Sequence, residues 1–157
     1  MRVVGIDPGL NLTGYGCVDR NGRGATLVEG GVIRLQRGDS MARRLCTLHQ
    51  ELGTILDELR PDLVVVEQLF AHYRHARTSI MMGHARGVTL LAAASRDIAL
   101  DEMTPAEVKK AVTGNGQASK HQVQCAVRAE FRLAELPRPA DVADAIAIAF
   151  GALERRR

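Results

Sequence analysis

The chain has 157 residues, of which 46% are hydrophobic and only 3% are aromatic, so its length and composition predict one domain with an aliphatic core. No apolar run approaches the ~18 residues that cross a bilayer, and no charged-then-apolar signal opens the chain, which excludes membrane and secretory classes and predicts a cytoplasmic protein. The formal net charge of +3 permits a nucleic-acid partner without requiring one. Cys17, Cys46 and Cys125 lack metal-ligand spacing, and we interpret them as small buried apolar residues.

The first predicted element is a short apolar run that ends in a carboxylate, Val3-Val4-Gly5-Ile6-Asp7, followed by Pro8-Gly9. Such a run is typical of a buried central strand that leads into a tight turn. A carboxylate at the end of a buried strand needs a partner or is poised to hold a cation. Asp7 is therefore the first candidate site residue.

Two more strands are predicted directly after this one. Residues 14–19 form the second strand, Asn21-Gly22 is a strong hairpin signal, and residues 25–34 form the third. The chain thus opens with a three-stranded antiparallel meander. The glycines at positions 5, 9, 14 and 16 indicate a close approach to the backbone, either by a ligand or by another element.

A helix of amphipathic spacing is predicted from Met41 to Leu59, and it stops before Pro61. It leads into a second short apolar run that ends in a carboxylate, Leu63-Val64-Val65-Val66-Glu67. A strand reached through a helical crossover is predicted to be parallel and central, which brings Glu67 close to Asp7. The alternative is that Glu67 only pairs with a nearby arginine.

Residues 70–78 mix aromatic and basic side chains without an apolar period. We interpret this segment as a mobile loop whose Phe70 stacks on bases while Arg74 and Arg77 contact phosphates. His72 and His75 are alternative metal ligands, although no second cluster supports that reading.

A helix with small residues is predicted from Ser79 to about Arg96. Small side chains such as Gly83 and Gly87 let another helix approach closely, in a second subunit or within the chain. A further strand is predicted over residues 98–103.

Two capped helices follow. Thr104 with Glu107 has the spacing of a capping box, and Ser119 with Gln122 repeats it. The second helix has a basic face that begins at Lys120, which is either a solvated surface or a phosphate site.

The last informative segment is a helix that starts after Pro139 and is almost entirely small or apolar from Asp141 onward. Asp141 and Asp144 are spaced i, i+3, so they lie on one face of it. The helix N-terminus can account for Asp141, because it favours an anion. Two like charges on a buried helix are otherwise unfavourable unless they are protonated or bound to cations.

Four carboxylates are thus predicted at the ends of buried elements. Clustered oxygen ligands select hard cations such as Mg²⁺ or Mn²⁺. Two such ions about 3.5 to 4 Å apart can stabilise both the attacking and the leaving oxygen of a phosphodiester displacement. The four carboxylates are Asp7, Glu67, Asp141 and Asp144.

Five separated segments closely resemble the motifs of the RuvC family of bacterial Holliday-junction resolvases, in the same order over nearly the whole chain. The resemblance implies an RNase H-like α/β fold with a mixed five-stranded sheet, three antiparallel strands and then parallel additions, flanked by helices. It implies a homodimer that makes paired, symmetric, Mg²⁺-dependent nicks in four-way DNA junctions during recombination and repair, leaves 5′-phosphate and 3′-hydroxyl ends, and acts with RuvA and RuvB. Mn²⁺ can replace Mg²⁺, with two ions expected per site. The segments are Ile6–Gly9 with Gly14–Gly16, Glu67–Phe70, Gly83–Gly87, Val108–Lys109 with Ala111–Lys120, and Asp141–Ala145.

By this resemblance Asp7, Glu67, Asp141 and Asp144 fall on the metal-binding and catalytic positions of the family. Lys109 and Lys120 fall on DNA-contacting positions, and Phe70 on the aromatic residue that helps to hold junction bases. The segment 71–78 departs from the family pattern by about two extra residues and by His and Arg where Asn is usual, so Arg74 and Arg77 are added as DNA-binding candidates. Some relatives carry His at the position of Asp141, which predicts that this residue tolerates replacement best.

Two other classes of protein share some of these sequence features. One is a junction-binding module without catalysis, although four acidic groups that face DNA would not help binding alone. The other is a sugar-kinase or actin-like nucleotide-binding domain, but those proteins repeat the Asp-x-Gly strand in a second half that this chain lacks. We expect one nuclease domain over residues 1–157, with a frayed basic tail from about residue 151.

Overall fold

The computed structural model describes residues 1–22, 24–69 and 76–156. Five strands and five helices occur in these residues, and their order matches the order expected from the sequence. They are β1 (Arg2–Asp7), β2 (Leu12–Asn21), β3 (Gly24–Arg34), α1 (Met41–Leu59), β4 (Leu63–Glu67), α2 (Ala76–Ala94), β5 (Ala99–Met103), α3 (Pro105–Thr113), α4 (Lys120–Glu130) and α5 (Ala140–Arg155).

The five strands form one mixed sheet in the order β3-β2-β1-β4-β5. β1, β2 and β3 pair in antiparallel fashion, while β4 and β5 are added parallel to β1. The predicted meander and the predicted parallel crossover are both confirmed. The expected fold class, an RNase H-like mixed sheet flanked by helices, is confirmed as well.

The register of the two central strands places their carboxylates side by side. Ile6 of β1 lies opposite Val66 of β4, so the next residue on each strand, Asp7 and Glu67, falls at the same edge of the sheet. Parallel strands end at a common edge, and this is the edge at which a ligand site is expected in such sheets.

The sheet has an aliphatic core on each face. One core lies between the sheet and helices α3, α4 and α5, and the other lies between the sheet and helices α1 and α2. α5 makes the closest approach: a Cβ atom on Gly5 would stand 2.3 Å from the Ala145 carbonyl oxygen, and one on Gly16 would stand 2.7 Å from the Ile146 Cα. Of the two explanations for the glycines, close packing of another element is therefore the correct one at these positions.

Three local expectations were wrong. α2 begins at Ala76, so Arg77 and Thr78 belong to the helix and not to the loop. α5 continues to Arg155, whose guanidinium donates to Asp101 at 2.5 Å, because packing on β5 orders residues that were expected to fray. Cys17 is buried as expected, whereas Cys46 and Cys125 are exposed.

Among the described residues, no helix is long and apolar enough to cross a membrane.

Candidate active site

A cavity of about 500 Å³ opens at the edge of the sheet where β1 and β4 end. All four predicted carboxylates line it, together with both predicted lysines. The structure therefore brings together six of the nine predicted site residues: Asp7, Glu67, Lys109, Lys120, Asp141 and Asp144.

α5 delivers its two carboxylates to this cavity because its first turn lies directly on β2. Gly14 pairs with Asp7 across the β1–β2 ladder. A Cβ atom on Gly14 would stand 2.2 Å from the carbonyl oxygen of Asp141. The absence of a side chain at Gly14 thus sets the distance between the start of α5 and Asp7.

The two lysines come from helices with capped starts. Thr104 and Glu107 form a complete capping box at the start of α3, which carries Lys109. Ser119 and Gln122 form another at the start of α4, whose first residue is Lys120. The Lys120 Nζ donates to Asp144 Oδ2 at 3.2 Å, and the Asp144 side chain is only 20% exposed.

Asp7 is the most perturbed acid of the cavity. The pKa of Asp7 is raised from 3.8 to about 7, mainly by burial and then by the negative charges of Glu67, Asp144 and Asp141, while Lys120 acts in the opposite direction. A carboxyl group of this kind is half-protonated near neutral pH. It releases its proton readily when a cation approaches.

The other two buried acids are shifted in the same direction. Burial and then the charge of Asp144 raise the pKa of Glu67, and burial raises the pKa of Asp144 against the opposing effect of Lys120. The pKa of Lys120 is raised in turn, mainly by the charge of Asp144. The cavity therefore holds more negative charge than it can stabilise by itself, which is the electrostatic condition for cation binding.

The donor set fits a hard divalent cation, because four carboxylates supply only oxygen ligands. Within the described residues, no three Asp, Glu, His or Cys side chains already form a group that could hold a metal ion. The carboxylates thus share one cavity without forming a closed coordination cluster, and Lys120 partly balances their charge.

Sequence reasoning missed the connection between β1 and β2. Residues 8–12 form one wall of the cavity, and Met82 of α2 lies on another. The Pro8-Gly9 turn signal marks the start of this wall, but nothing in the sequence indicates that Asn11 lines the cavity or that Arg44 of α1 binds the loop.

Of the three remaining predicted residues, Arg77 is the one that lies in the described part of the chain. Arg77 is exposed near the start of α2 and is not among the described residues that line the cavity. Phe70 and Arg74, together with His72 and His75, lie outside the described residues.

A mixed sheet whose two central parallel strands end in carboxylates, with a buried helix that adds two more, places the molecule among RNase H-like nucleases and resolvases. Comparison with known proteins narrows this class. The family profile described as crossover junction endodeoxyribonuclease RuvC matches residues 3–151. A curated relative of that name from Rhodopirellula baltica is 49% identical over 146 residues, which cover 93% of this chain and 82% of the relative.

Solved structures agree with the profile. A structure of Thermus thermophilus RuvC in complex with a Holliday junction substrate superposes with a TM-score of 0.92 and 35% identity, covering 100% of this chain and 95% of that one. The yeast mitochondrial Holliday junction resolvase shares the fold, with a TM-score of 0.71 at 14% identity over 97% of this chain and 77% of that one. The chain belongs to the RuvC family of crossover junction endodeoxyribonucleases, which implies that it depends on a divalent metal.

Proposed function

We propose that this protein resolves four-way DNA junctions by making paired, symmetric nicks that leave 5′-phosphate and 3′-hydroxyl ends. The observation that carries the proposal is the joint placement of four carboxylates and two lysines around one cavity. Binding alone gains nothing from acidic groups that repel DNA, so this cavity argues for hydrolysis and against a junction-binding module.

Asp7, Glu67, Asp141 and Asp144 are the residues that would hold the cation, and we propose two Mg²⁺ ions per site, with Mn²⁺ as a substitute. When bound, such ions activate water and stabilise negative charge on phosphate oxygens. The raised pKa values of Asp7, Glu67 and Asp144 support this assignment, because a cation relieves the repulsion among these acids.

The lysines have a different role. Lys109 and Lys120 supply the positive charge at the rim of an acidic cavity, so we assign them to the phosphates of the strand that enters it. Lys120 can exchange its bond with Asp144 for a bond to a phosphate, because its side chain is 72% exposed. For Phe70, Arg74 and Arg77 we keep the proposal of contacts with junction DNA, which rests on the family resemblance and on residue chemistry.

Two symmetric nicks require two active sites, and we propose a homodimer that forms through α2. The outward face of this helix carries exposed apolar residues separated by glycines, with Ile80 63% exposed and Leu91 57% exposed. No described atom lies within 4 Å of a Cβ placed on Gly83 or Gly87. Small residues between large apolar ones allow a second copy of the helix to pack closely, and such a face is costly in water.

The dimer is tested by sedimentation of Leu91→Glu beside Val28→Glu, which places the same charge on an apolar residue of β3 that is 42% exposed. We expect Leu91→Glu to sediment as a monomer and to lose paired nicking, while Val28→Glu remains dimeric. A dimeric Leu91→Glu protein would contradict the assignment of this face.

We further propose that residues 1–157 act as one nuclease domain in the cytoplasm, together with the RuvA and RuvB branch-migration proteins. Family membership supports this proposal. Co-purification of tagged RuvA and RuvB on a junction with the catalytically inactive protein tests it, and failure of both to co-purify would contradict the partnership.

The main experiment is cleavage of a synthetic four-way junction, labelled on each strand in turn, beside a linear duplex, with Mg²⁺, Mn²⁺ or EDTA. Symmetric metal-dependent nicks on the junction alone are expected. Asp7→Asn should bind the junction but not cut it, and normal cutting by this variant would show that the site is wrong. Binding by the wild-type protein without any cut would favour the binding module instead.

A further inference from the structure

The connection between β1 and β2 is held in one conformation by its own side chains. The Thr13 hydroxyl, which is fully buried, donates to the Gly9 carbonyl at 2.7 Å and accepts from the Gly9 amide at 3.2 Å. The loop is also tight, because a Cβ atom on Gly9 would stand 2.2 Å from the Leu12 carbonyl oxygen. This wall of the catalytic cavity is therefore preformed.

Arg44 of α1 holds the same loop from behind. Its guanidinium donates to the Leu10 carbonyl and, at 3.0 Å, to Oδ1 of Asn11. The Asn11 main chain is fixed as well, since its carbonyl accepts from the Leu35 amide at 3.0 Å. A guanidinium has only donors, so the amide oxygen of Asn11 must face Arg44. The NH₂ group of the same amide then points away from Arg44.

That NH₂ group is free to bind something else. Asn11 is exposed and lines the cavity that holds the four carboxylates. Among the described residues, no hydrogen bond from the Asn11 Nδ2 to a protein acceptor occurs. The position of Arg44 behind the loop has an energetic cost, because its Nε is buried without a hydrogen-bond partner in the described part of the chain.

We propose that the Asn11 side-chain amide donates a hydrogen bond to a backbone phosphate of the DNA strand in the catalytic cavity, and that Arg44 is the positioning residue that orients it. This inference rests on the proposed junction-cleaving function. A neutral donor suits this place, because it binds a phosphate oxygen without attracting the neighbouring carboxylates as a cation would. Phosphate contacts position a strand without reading its sequence.

The test compares Asn11→Asp with Asn11→Ala, because the two possible roles of Asn11 predict opposite orders. If Asn11 only accepts from Arg44 to shape the loop, Asp keeps that bond and is the milder change. If its NH₂ group binds a phosphate, Asp removes the donor and adds a repelling charge. We expect the single-turnover cleavage rate at saturating enzyme to fall about 10-fold for Asn11→Ala and about 100-fold for Asn11→Asp, with the junction Kd changed less than about threefold.

Matched control variants show whether an added negative charge or a lost arginine elsewhere in the protein has the same effect on the cleavage rate. Asn21→Asp makes the same chemical change at the hairpin turn on the opposite end of the sheet, and we expect it to cut at the wild-type rate. Arg44→Met should match Asn11→Ala and should add little to it in the double variant. Arg43→Met, on the exposed neighbouring position of α1, should leave the rate unchanged.

A neutral methylphosphonate placed at single positions near the cut identifies the contacted phosphate. With the methylphosphonate at the contacted phosphate, the ratio of the wild-type cleavage rate to the Asn11→Asp rate should shrink at least fivefold. With the methylphosphonate at other positions, this ratio should stay the same. An Asn11→Asp enzyme that is as fast as Asn11→Ala or faster would overturn the inference, and so would a changed cleavage-sequence preference in Asn11→Ala, which would indicate a base contact. Failure of the wild-type protein to cut any junction would instead refute the proposed function.

Discussion

The carbonyl oxygen of Asp141 lies directly against Gly14, where a Cβ atom would stand only 2.2 Å away. Gly14 is also the ladder partner of Asp7. One glycine therefore determines how closely two carboxylates from different elements approach each other.

Gly14→Ala is expected to push the start of α5 away from β2. Overpacking of this kind costs about 1–3 kcal/mol of unfolding free energy. Displacement of Asp141 and Asp144 should also reduce junction cleavage by roughly 100-fold, since small misplacements of catalytic groups have effects of that size. Urea denaturation and single-turnover cleavage measure the two effects.

Gly38→Ala is the control for this substitution, because no described atom lies within 4 Å of a Cβ at Gly38. It should match the wild-type protein in both assays. Wild-type cleavage by Gly14→Ala would show that the close approach of α5 is not needed for activity.

The raised pKa of Asp7 makes the metal-free protein less stable at alkaline pH. The folded-state pKa is about 7 and the ordinary value is 3.8, so between these values the folded state binds more protons than the unfolded state. Stability from this group is therefore fully present below about pH 4 and is lost as the pH rises to about 7. Asp7→Asn removes this loss of stability, because an amide does not ionise. In EDTA at pH 8 the substitution should raise the unfolding free energy by up to about 4 kcal/mol.

Thermal unfolding in EDTA at pH 5 and at pH 8 tests this prediction. The stabilisation by Asp7→Asn should be much smaller at pH 5, where Asp7 is protonated in the folded state. Saturating Mn²⁺ should reverse the order at pH 8, since the wild-type protein then gains binding energy that the variant lacks. Equal stabilisation at both pH values would mean that Asp7 does not carry the shifted pKa.

Lys120 has two electrostatic effects, and two measurements on Lys120→Met report them separately. Its charge partly offsets the rise in the pKa of Asp7, Glu67 and Asp144, and its exposed amine is available to a DNA phosphate. Lys120→Met should therefore move the rising limb of the cleavage–pH profile to higher pH, and it should reduce the salt dependence of junction binding by about one counterion. We expect the cleavage rate at neutral pH to fall roughly 100-fold.

Lys110→Met is the matched control, because Lys110 is the exposed neighbour of Lys109 on α3 and does not line the cavity in the described structure. Its pH profile should be that of the wild-type enzyme. An unshifted pH profile for Lys120→Met would show that the charge of Lys120 does not influence the pKa of the carboxylates.

Much of the fold was predictable because each element has a local signal. Apolar runs, hairpin turns and two capping boxes give strands and helices within a few residues of their observed bounds. The approach of Glu67 to Asp7 followed from a general rule, since a strand reached through a helix pairs in parallel and ends at the same edge. The start of α2 was misplaced because residues 76–78 carry no apolar period.

The rest of the site depends on contacts between elements that are distant in sequence. The glycines of β1 and β2 indicated a close approach, but only the packed structure shows that α5 makes it. Arg44 and Asn11 are 33 positions apart, and neither belongs to a recognisable motif. The sequence predicts a frayed tail at Arg155, because its partner Asp101 lies on β5, 54 positions away, and no local pattern marks their contact.

Arg86 and Glu102 form an ion pair that ties α2 to β5, with side chains 21% and 39% exposed. Arg86 Nε is buried without a partner in the described residues, so removal of Glu102 would leave a poorly solvated cation. We expect Glu102→Gln and Arg86→Met each to lower the unfolding free energy by about 1–2 kcal/mol, and the double variant to lose clearly less than the sum. Urea denaturation of the four proteins gives the coupling energy. Additive losses would show that the pair contributes only through packing, and the α2–β5 contact would then have to be held by its apolar side chains alone.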